Sequence, residues 1–163
     1  MNQIVVPSPI GHLLISAQDG RLVQLRVLEA GEQPTLSGNS GDPVLDEAKR
    51  QLAQYFAGER KAFDLPLTLH GTAFEMAVWQ QLRDIPFGKI MSYGELAERL
   101  GKPSASRAVG GACARNPLLV VVPCHRVVAA LGKLTGFAAG MAAKRTLLAH
   151  EGWKIVDERV KGK

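Results

Sequence analysis

Cysteine is scarce in this chain: Cys113 and Cys124 are the only two among 163 residues. Two cysteines are too few for a disulfide framework. A single Cys113–Cys124 bridge is open by count. Free thiols in a reducing compartment are the expectation, because Met1–Pro7 has no basic region ahead of an apolar one. Apolar runs are short as well, none near the ~18 residues of a membrane span. The chain is therefore expected in the cytoplasm, with no membrane partner. The first half has no cysteine and no cluster of His and carboxylates at ligand spacing. No metal site is expected, and His12 and His70 read as ordinary surface histidines.

What the chain does have is 46% hydrophobic content, enough for a real core in one large domain or two small ones. The net charge of +5 is unevenly spread. Residues 1–69 hold six Lys/Arg and eight Asp/Glu, a net −2, whereas residues 70–163 hold fourteen and seven, a net +7. The basic half has the charge a polyanion-binding surface needs; simple solubility charge is the plainer alternative.

Taken in order, Gln3–Val6, His12–Ala17 and Leu22–Leu28 read as three short strands, the last two joined across Asp19-Gly20, a hairpin signal. Gly31–Gly41 is polar and reads as a loop. Asp42-Pro43 opens a helix as N-cap and first helical residue, with Ala48, Leu52, Tyr55 and Phe56 on one face and Gly58 as its stop. Thr72-Ala73-Phe74-Glu75 and Ser92-Tyr93-Gly94-Glu95 are capping boxes, each opening a helix. A short strand is expected over Lys89–Met91. After Gly101-Lys102-Pro103, Ser104 is expected to cap a helix from Ala105 to about Arg115, giving a helix-turn-helix pattern. That helix is built from small residues: Ala105, Ser106, Ala108, Gly110, Gly111, Ala112 and Ala114. Arg107 is the long side chain of its first turn. Small residues suit close approach to a large flat surface such as DNA, and they also suit tight helix–helix contact.

Asn116-Pro117 ends that helix. Leu118–Val122 is apolar and β-branched and reads as a buried strand ended by Pro123. Cys124, His125 and Arg126 follow. A thiol beside an imidazole and a guanidinium has surroundings that favour thiolate, and a drop in its pKa from ~8.5 to about 6 needs about 3 kcal/mol. Neighbours on a strand face opposite ways, so His125 serves Cys124 only if the chain turns here or a water bridges them. A buried structural Cys is the alternative. Ala129–Phe137 reads as a mobile loop and Met141–His150 as a helix with Leu147 and Leu148 inward. Glu151 at its C-terminal end opposes the helix dipole, so a cationic or donor partner is expected. Trp153–Lys163 reads as a basic tail.

Pro123-Cys124-His125-Arg126-Val127 resembles the signature of the O6-alkylguanine-DNA alkyltransferases. The likeness continues in order through Ser92-Tyr93, Arg107-Ala108-Val109-Gly110-Gly111, Asn116-Pro117, Leu134-Thr135-Gly136, and Lys144 with Leu147-Leu148 and Glu151. It is close over about residues 72–152. Ser8-Pro9-Ile10-Gly11 and Tyr55-Phe56 with Gly58 look like the family's N-terminal part. The resemblance implies an α+β chain, with a small ribonuclease-H-like domain over 1–69 and a winged helix-turn-helix domain over 70–163.

It also implies direct-reversal DNA repair without a cofactor. A monomer would bind double-stranded DNA containing O6-alkylguanine through the minor groove, with Ser92, Ala105, Ser106 and Gly110 against the DNA. Arg107 would fill the space left by the flipped nucleotide. Tyr93 would help expel that nucleotide and donate to the guanine ring. Cys124 would take the alkyl group once and irreversibly. His125 would accept the thiol proton through a water, Glu151 would orient His125, and Asn116 would brace the turn. Backbone around Val127 and Ala138 would read the guanine edge, with Cys113 and Phe137 lining the pocket. Phe137 stands where the family usually has Tyr, and Ala139 where it commonly has Gly. The first removes a donor, and the second is expected to narrow the pocket.

Other classes remain open on residues alone. A non-catalytic binder of alkylated bases would not need Cys124. A transcription regulator would need major-groove readers that the Gly/Ala-rich helix lacks. A Cys-His hydrolase would need an oxyanion hole, for which no motif is visible.

Overall fold

A computed structural model describes residues 1–32 and 41–163. Most of the loop expected over Gly31–Gly41 lies outside the described residues. The chain divides into two compact units, Met1–Leu69 with Pro117–Leu119, and His70–Asn116 with Val120–Lys163.

In the first unit β1 (Asn2–Val6), β2 (Leu13–Gln18) and β3 (Arg21–Val27) form an antiparallel sheet in that order. Ile4, Ile15 and Leu25 lie side by side in its register and are fully buried. Asp19 and Gly20 both have positive φ, the conformation a two-residue hairpin needs. Helix α1 (Pro43–Phe56) starts with Pro43 at its first position, and Asp42 accepts from the Val44 N–H at 3.0 Å. It buries Leu45, Ala48, Leu52 and Tyr55. Leu118 pairs alongside Leu25.

The run Leu118–Val122 is buried but is not the continuous strand expected. Leu118 makes its bridge, and the chain then turns at Val120, whose φ is +71°. Burial was legible in the apolar composition, but a left-handed β-branched residue contradicts every local preference. Pro123 therefore ends no strand. It precedes a single 3₁₀ turn, Cys124–Arg126.

In the second unit both capping boxes form as expected, on α2 (Ala73–Arg83) and α3 (Tyr93–Arg99). Trp79 Nε1 donates to the Ala112 carbonyl at 2.9 Å, which pins α2 to α4 (Ser106–Ala114). Ser104 does not cap α4. Ala105 holds the N-cap position, with no side-chain cap, because Ser104 lies within the turn closed by Ala105 N–H to Lys102 O. Two-residue strands β4 (Met91–Ser92) and β5 (Val127–Val128) pair in parallel. This pairing sets the N-terminus of α3 beside the segment that leaves Cys124.

The expected mobile loop after Val128 is tied down. Ala129 N–H donates to Lys133 O, Leu134 N–H donates to Glu158 O, and Leu134 is buried. The expected basic tail is a hairpin, β6 (Lys154–Val156) and β7 (Arg159–Gly162). Trp153, Ile155 and Val160 explain it, because they pack on the core of Val128, Leu134 and Leu148. The charge of the tail hid this apolar alternation. Helix α5 (Met141–His150) buries Leu147 and Leu148 as expected.

Candidate active site

The 3₁₀ turn carries three consecutive buried side chains, Cys124, His125 and Arg126. The backbone turns here rather than running extended, so the opposite-face rule of a strand does not separate Cys124 from His125. Glu151, 2% exposed at the C-terminal end of α5, gathers two of the three. His125 Nε2 lies 2.8 Å from Glu151 Oε2. Arg126 donates to both carboxylate oxygens, at 2.8 and 2.9 Å, and to the Ile85 carbonyl at 2.7 Å. Burial pushes the Glu151 carboxyl upward, but the hydrogen bonds from His125 and Arg126 outweigh it and hold the group below the usual carboxylate range. The cationic partner that the helix dipole calls for is therefore present.

A carboxylate can only accept, so the hydrogen-bond network assigns the imidazole proton to Nε2. His125 Nδ1 is then a bare lone pair, buried and without a hydrogen-bond partner among the described residues. Burial also lowers the His125 pKa, against the pull of Glu151, so the ring is neutral and able to take a proton.

Cys124 is 3% exposed, and burial pushes its thiol up to about 11. A hydrogen bond from the Asn116 side chain and the charge of Lys144 act in the opposite direction without overcoming it. This corrects the expected thiolate. The guanidinium of Arg126 is neutralised by Glu151 and His125 is uncharged, so the cations adjacent in sequence do not supply the field. Asn116 Nδ2 also donates to the Val122 carbonyl at 2.7 Å, which bridges the approach to the turn.

The residue that the chemistry-bearing motif did not single out is Lys144. It is 1% exposed on the inward face of α5 and has no carboxylate partner among the described residues. Burial lowers its pKa, and the charges that Cys124 and Cys113 would carry as thiolates raise it. Its Nζ lies 3.5 Å from the Tyr93 hydroxyl, 5.8 Å from the Tyr93 ring centroid and 6.0 Å from that of Phe137. The signal was available: Lys144 precedes Leu147 and Leu148 by three and four residues and so shares their buried face.

A cavity of about 750 Å³ opens in this unit, within the range of ligand pockets. Ser92, Tyr93, Ser106, Arg107 and Gly110 line one side, and Ala129, Ala130, Thr135, Phe137 and Ala138 line the rest. Thr135 donates to the Tyr93 hydroxyl at 3.2 Å, across the pocket. Burial raises the Tyr93 pKa, keeping the phenol protonated. Arg107 is exposed on the first turn of α4. A Cβ built on Gly110 would meet only the Tyr93 ring, at an ordinary 3.8 Å, so internal packing does not demand glycine there. Ala105, Cys113, Cys124 and Val127 are not on the cavity wall. Val127 is fully buried in β5, and burial pushes the Cys113 thiol up to about 12.

Residues 1–69 match the family model described as 6-O-methylguanine DNA methyltransferase, ribonuclease-like domain, and residues 73–153 the one described as 6-O-methylguanine DNA methyltransferase, DNA binding domain. A methylated-DNA--protein-cysteine methyltransferase of Mycolicibacterium paratuberculosis is 47% identical over 147 residues, covering 90% of this chain and 89% of that protein. The chain belongs to the 6-O-methylguanine DNA methyltransferase family. A relative of the same name from Methanosarcina acetivorans is 42% identical, over 93% of this chain and 99% of its own. The crystal structure of Mycobacterium tuberculosis O6-methylguanine methyltransferase superposes with a TM-score of 0.82 at 43% identity, over 91% of each chain. A Mycobacterium tuberculosis OGT in complex with DNA gives 0.83 at 44%, with the same coverage. The α+β architecture is that of the methyltransferase family, a ribonuclease-like part followed by a DNA-binding part. The reaction is the family's, DNA repair by alkyl transfer to a protein cysteine.

Proposed function

We propose that this methyltransferase flips O6-alkylguanine out of double-stranded DNA and transfers the alkyl group once, irreversibly, to Cys124. Residues 70–163 carry the DNA surface and the acceptor, and residues 1–69 act as scaffold. The protein works as a monomer in the cytoplasm, where both of its free, buried thiols stay reduced. The observation that carries the assignment is the buried set of Cys124, His125 and Glu151, in which His125 Nε2 lies on Glu151 and Nδ1 is an open acceptor.

The exposed small-residue face of α4 lies against the minor groove, with Ser92, Ala105, Ser106 and Gly110 near the backbone. Arg107 takes the place of the extruded nucleotide, and the base enters the cavity beside Tyr93. Backbone near Val127 and Ala138 reads its edge, and Phe137 shapes the wall, with Cys113 buried behind it. Flipping costs a few kcal/mol, least for a mispaired base.

At rest Cys124 is a thiol, which protects it from adventitious alkylation and oxidation. In the complex its proton passes through a water to His125 Nδ1, while Nε2–H stays on Glu151. Sγ attacks the alkyl carbon, the S–C bond forms, the C–O6 bond breaks, and the electron pair leaves on the guanine. Lys144 and Asn116 steady the developing thiolate, and Tyr93 donates toward the ring. Reversal would require guanine O6 to attack the alkyl carbon and expel the Cys124 thiolate from a stable thioether, so the product persists. Counting lesions removed against protein added tests this: one O6-methylguanine per molecule is the expected end point, and continued turnover excludes the reading.

A further inference from the structure

Leu131 is the most exposed large hydrophobic residue among the described residues, at 87%, and it sits in the left-handed region with φ +61°. Neither property helps the fold, since the side chain covers nothing and a non-glycine residue is disfavoured in that conformation. The surroundings nevertheless hold it in place. It occupies the tip of the 3₁₀ turn Ala130–Gly132, and Ala129 and Ala130 of the same turn line the cavity. From the outside, β7 braces the turn: Arg159 donates to the Leu131 carbonyl at 3.4 Å, and Lys133 bridges to Arg159. A Cβ on Gly132 would come within 2.8 Å of the Val160 carbonyl, so the tip is packed tightly against the strand. The charges around it are those of a DNA surface. Lys133 is exposed and Arg159 half-buried, and of the two acids in the hairpin turn Glu158 is ion-paired with Arg145 and Asp157 is exposed.

We infer that Leu131 is an apolar contact to duplex DNA, held on the rim of the base pocket to pack against nucleotides next to the flipped one, while Arg107 acts from the α4 side. Resting on the function proposed above, it adds a second, uncharged point of grip. Apolar wedges in the minor groove act in this way, by packing against partly unstacked steps.

The test compares the parent with Leu131→Ala and Leu131→Gly. Binding to undamaged duplex is titrated at several salt concentrations, and alkyl transfer is timed on O6-methylguanine duplex and on free O6-benzylguanine. Both variants are expected to lose about 10-fold in duplex affinity and repair. The slope of affinity against salt should not change, because no phosphate contact is lost. Their rates on the free base should match the parent. Leu131→Gly should melt at or above the parent temperature, since glycine accepts the left-handed backbone. Duplex affinities within twofold of the parent would overturn the inference, as would an equal loss on the free base, which would make Leu131 part of the pocket. A parent that binds duplex yet transfers no alkyl group overturns the functional reading alone, because the binding titration still reads Leu131.

Discussion

Lys144 is a charged side chain where a charge is expensive. An ammonium at 1% exposure, with no carboxylate partner among the described residues, is tolerated only if something compensates its desolvation. What it faces is Cys124, Cys113, a phenol and the Phe137 ring. Each is a weak partner until Cys124 ionises, so the ammonium is best compensated when the nucleophile forms. Lys144→Met, nearly isosteric, should keep or raise the melting temperature, slow transfer at neutral pH about 10-fold or more, and move the rate–pH profile upward. Stopped single-turnover rates across pH check this, and an unmoved profile would leave Lys144 a packing residue. Phe137 presents the opposite case, a ring without a donor at the same pocket. Phe137→Tyr should speed transfer several-fold while leaving duplex affinity, measured in a Cys124→Ser background, almost unchanged. An unchanged rate in a folded variant would mean that Tyr93 or Lys144 already supplies the proton. Cys124 itself was legible from its neighbours, but its protonation state was not. Sequence adjacency does not reveal that Glu151 neutralises Arg126, nor how deep the thiol lies.

At the scale of elements, the C-terminus of α5 and the 3₁₀ turn hold each other through Glu151. Glu151→Ala strands the buried Arg126 guanidinium and should cost about 3–5 kcal/mol of stability, read by denaturant or thermal unfolding. The same link sets an acid limit. The folded pKa values of His125 and Glu151 are both depressed, so the unfolded chain binds more protons than the folded one as pH falls. The stability His125 contributes is complete above about pH 6.5, and that of Glu151 above about 4.5. Melting temperature should therefore decline from just above pH 6.5 downward and steepen in the carboxylate range; a flat profile down to pH ~5 would contradict the neutral, buried imidazole. Elements with local chemical signatures were readable in advance: the Asp19-Gly20 hairpin, the Asp42-Pro43 start, and both capping boxes. Those decided by long-range packing were not. Val120 turns against its own propensity, Ser104 falls one residue short of the cap, and the charged C-terminal segment pairs because Trp153, Ile155 and Val160 have a core to cover.

Over the whole molecule, the charge divides as −2 before residue 70 and +7 after it, and the cavity, Arg107 and Cys124 all lie in the basic part. The order of motifs named these residues; it did not reveal that they fall into two groups. Cys124, His125, Glu151 and Asn116 form a buried cluster, whereas Tyr93, Ser106, Arg107, Gly110 and Phe137 line an open cavity, with Lys144 between them. This division predicts separable losses. Arg107→Ala should weaken repair of duplex far more than reaction with free O6-benzylguanine, because its guanidinium is needed only while a helix is held open; equal losses would make it structural. The cluster, by contrast, must act on any substrate. Its most direct test is to incubate the protein with excess O6-methylguanine duplex, weigh it intact, and map the peptides. The expected result is one added methyl per molecule, on the peptide carrying Cys124, with Cys113 unmodified. A methyl on Cys113, or repaired DNA with an unmodified protein, would contradict the assignment of Cys124 as the acceptor.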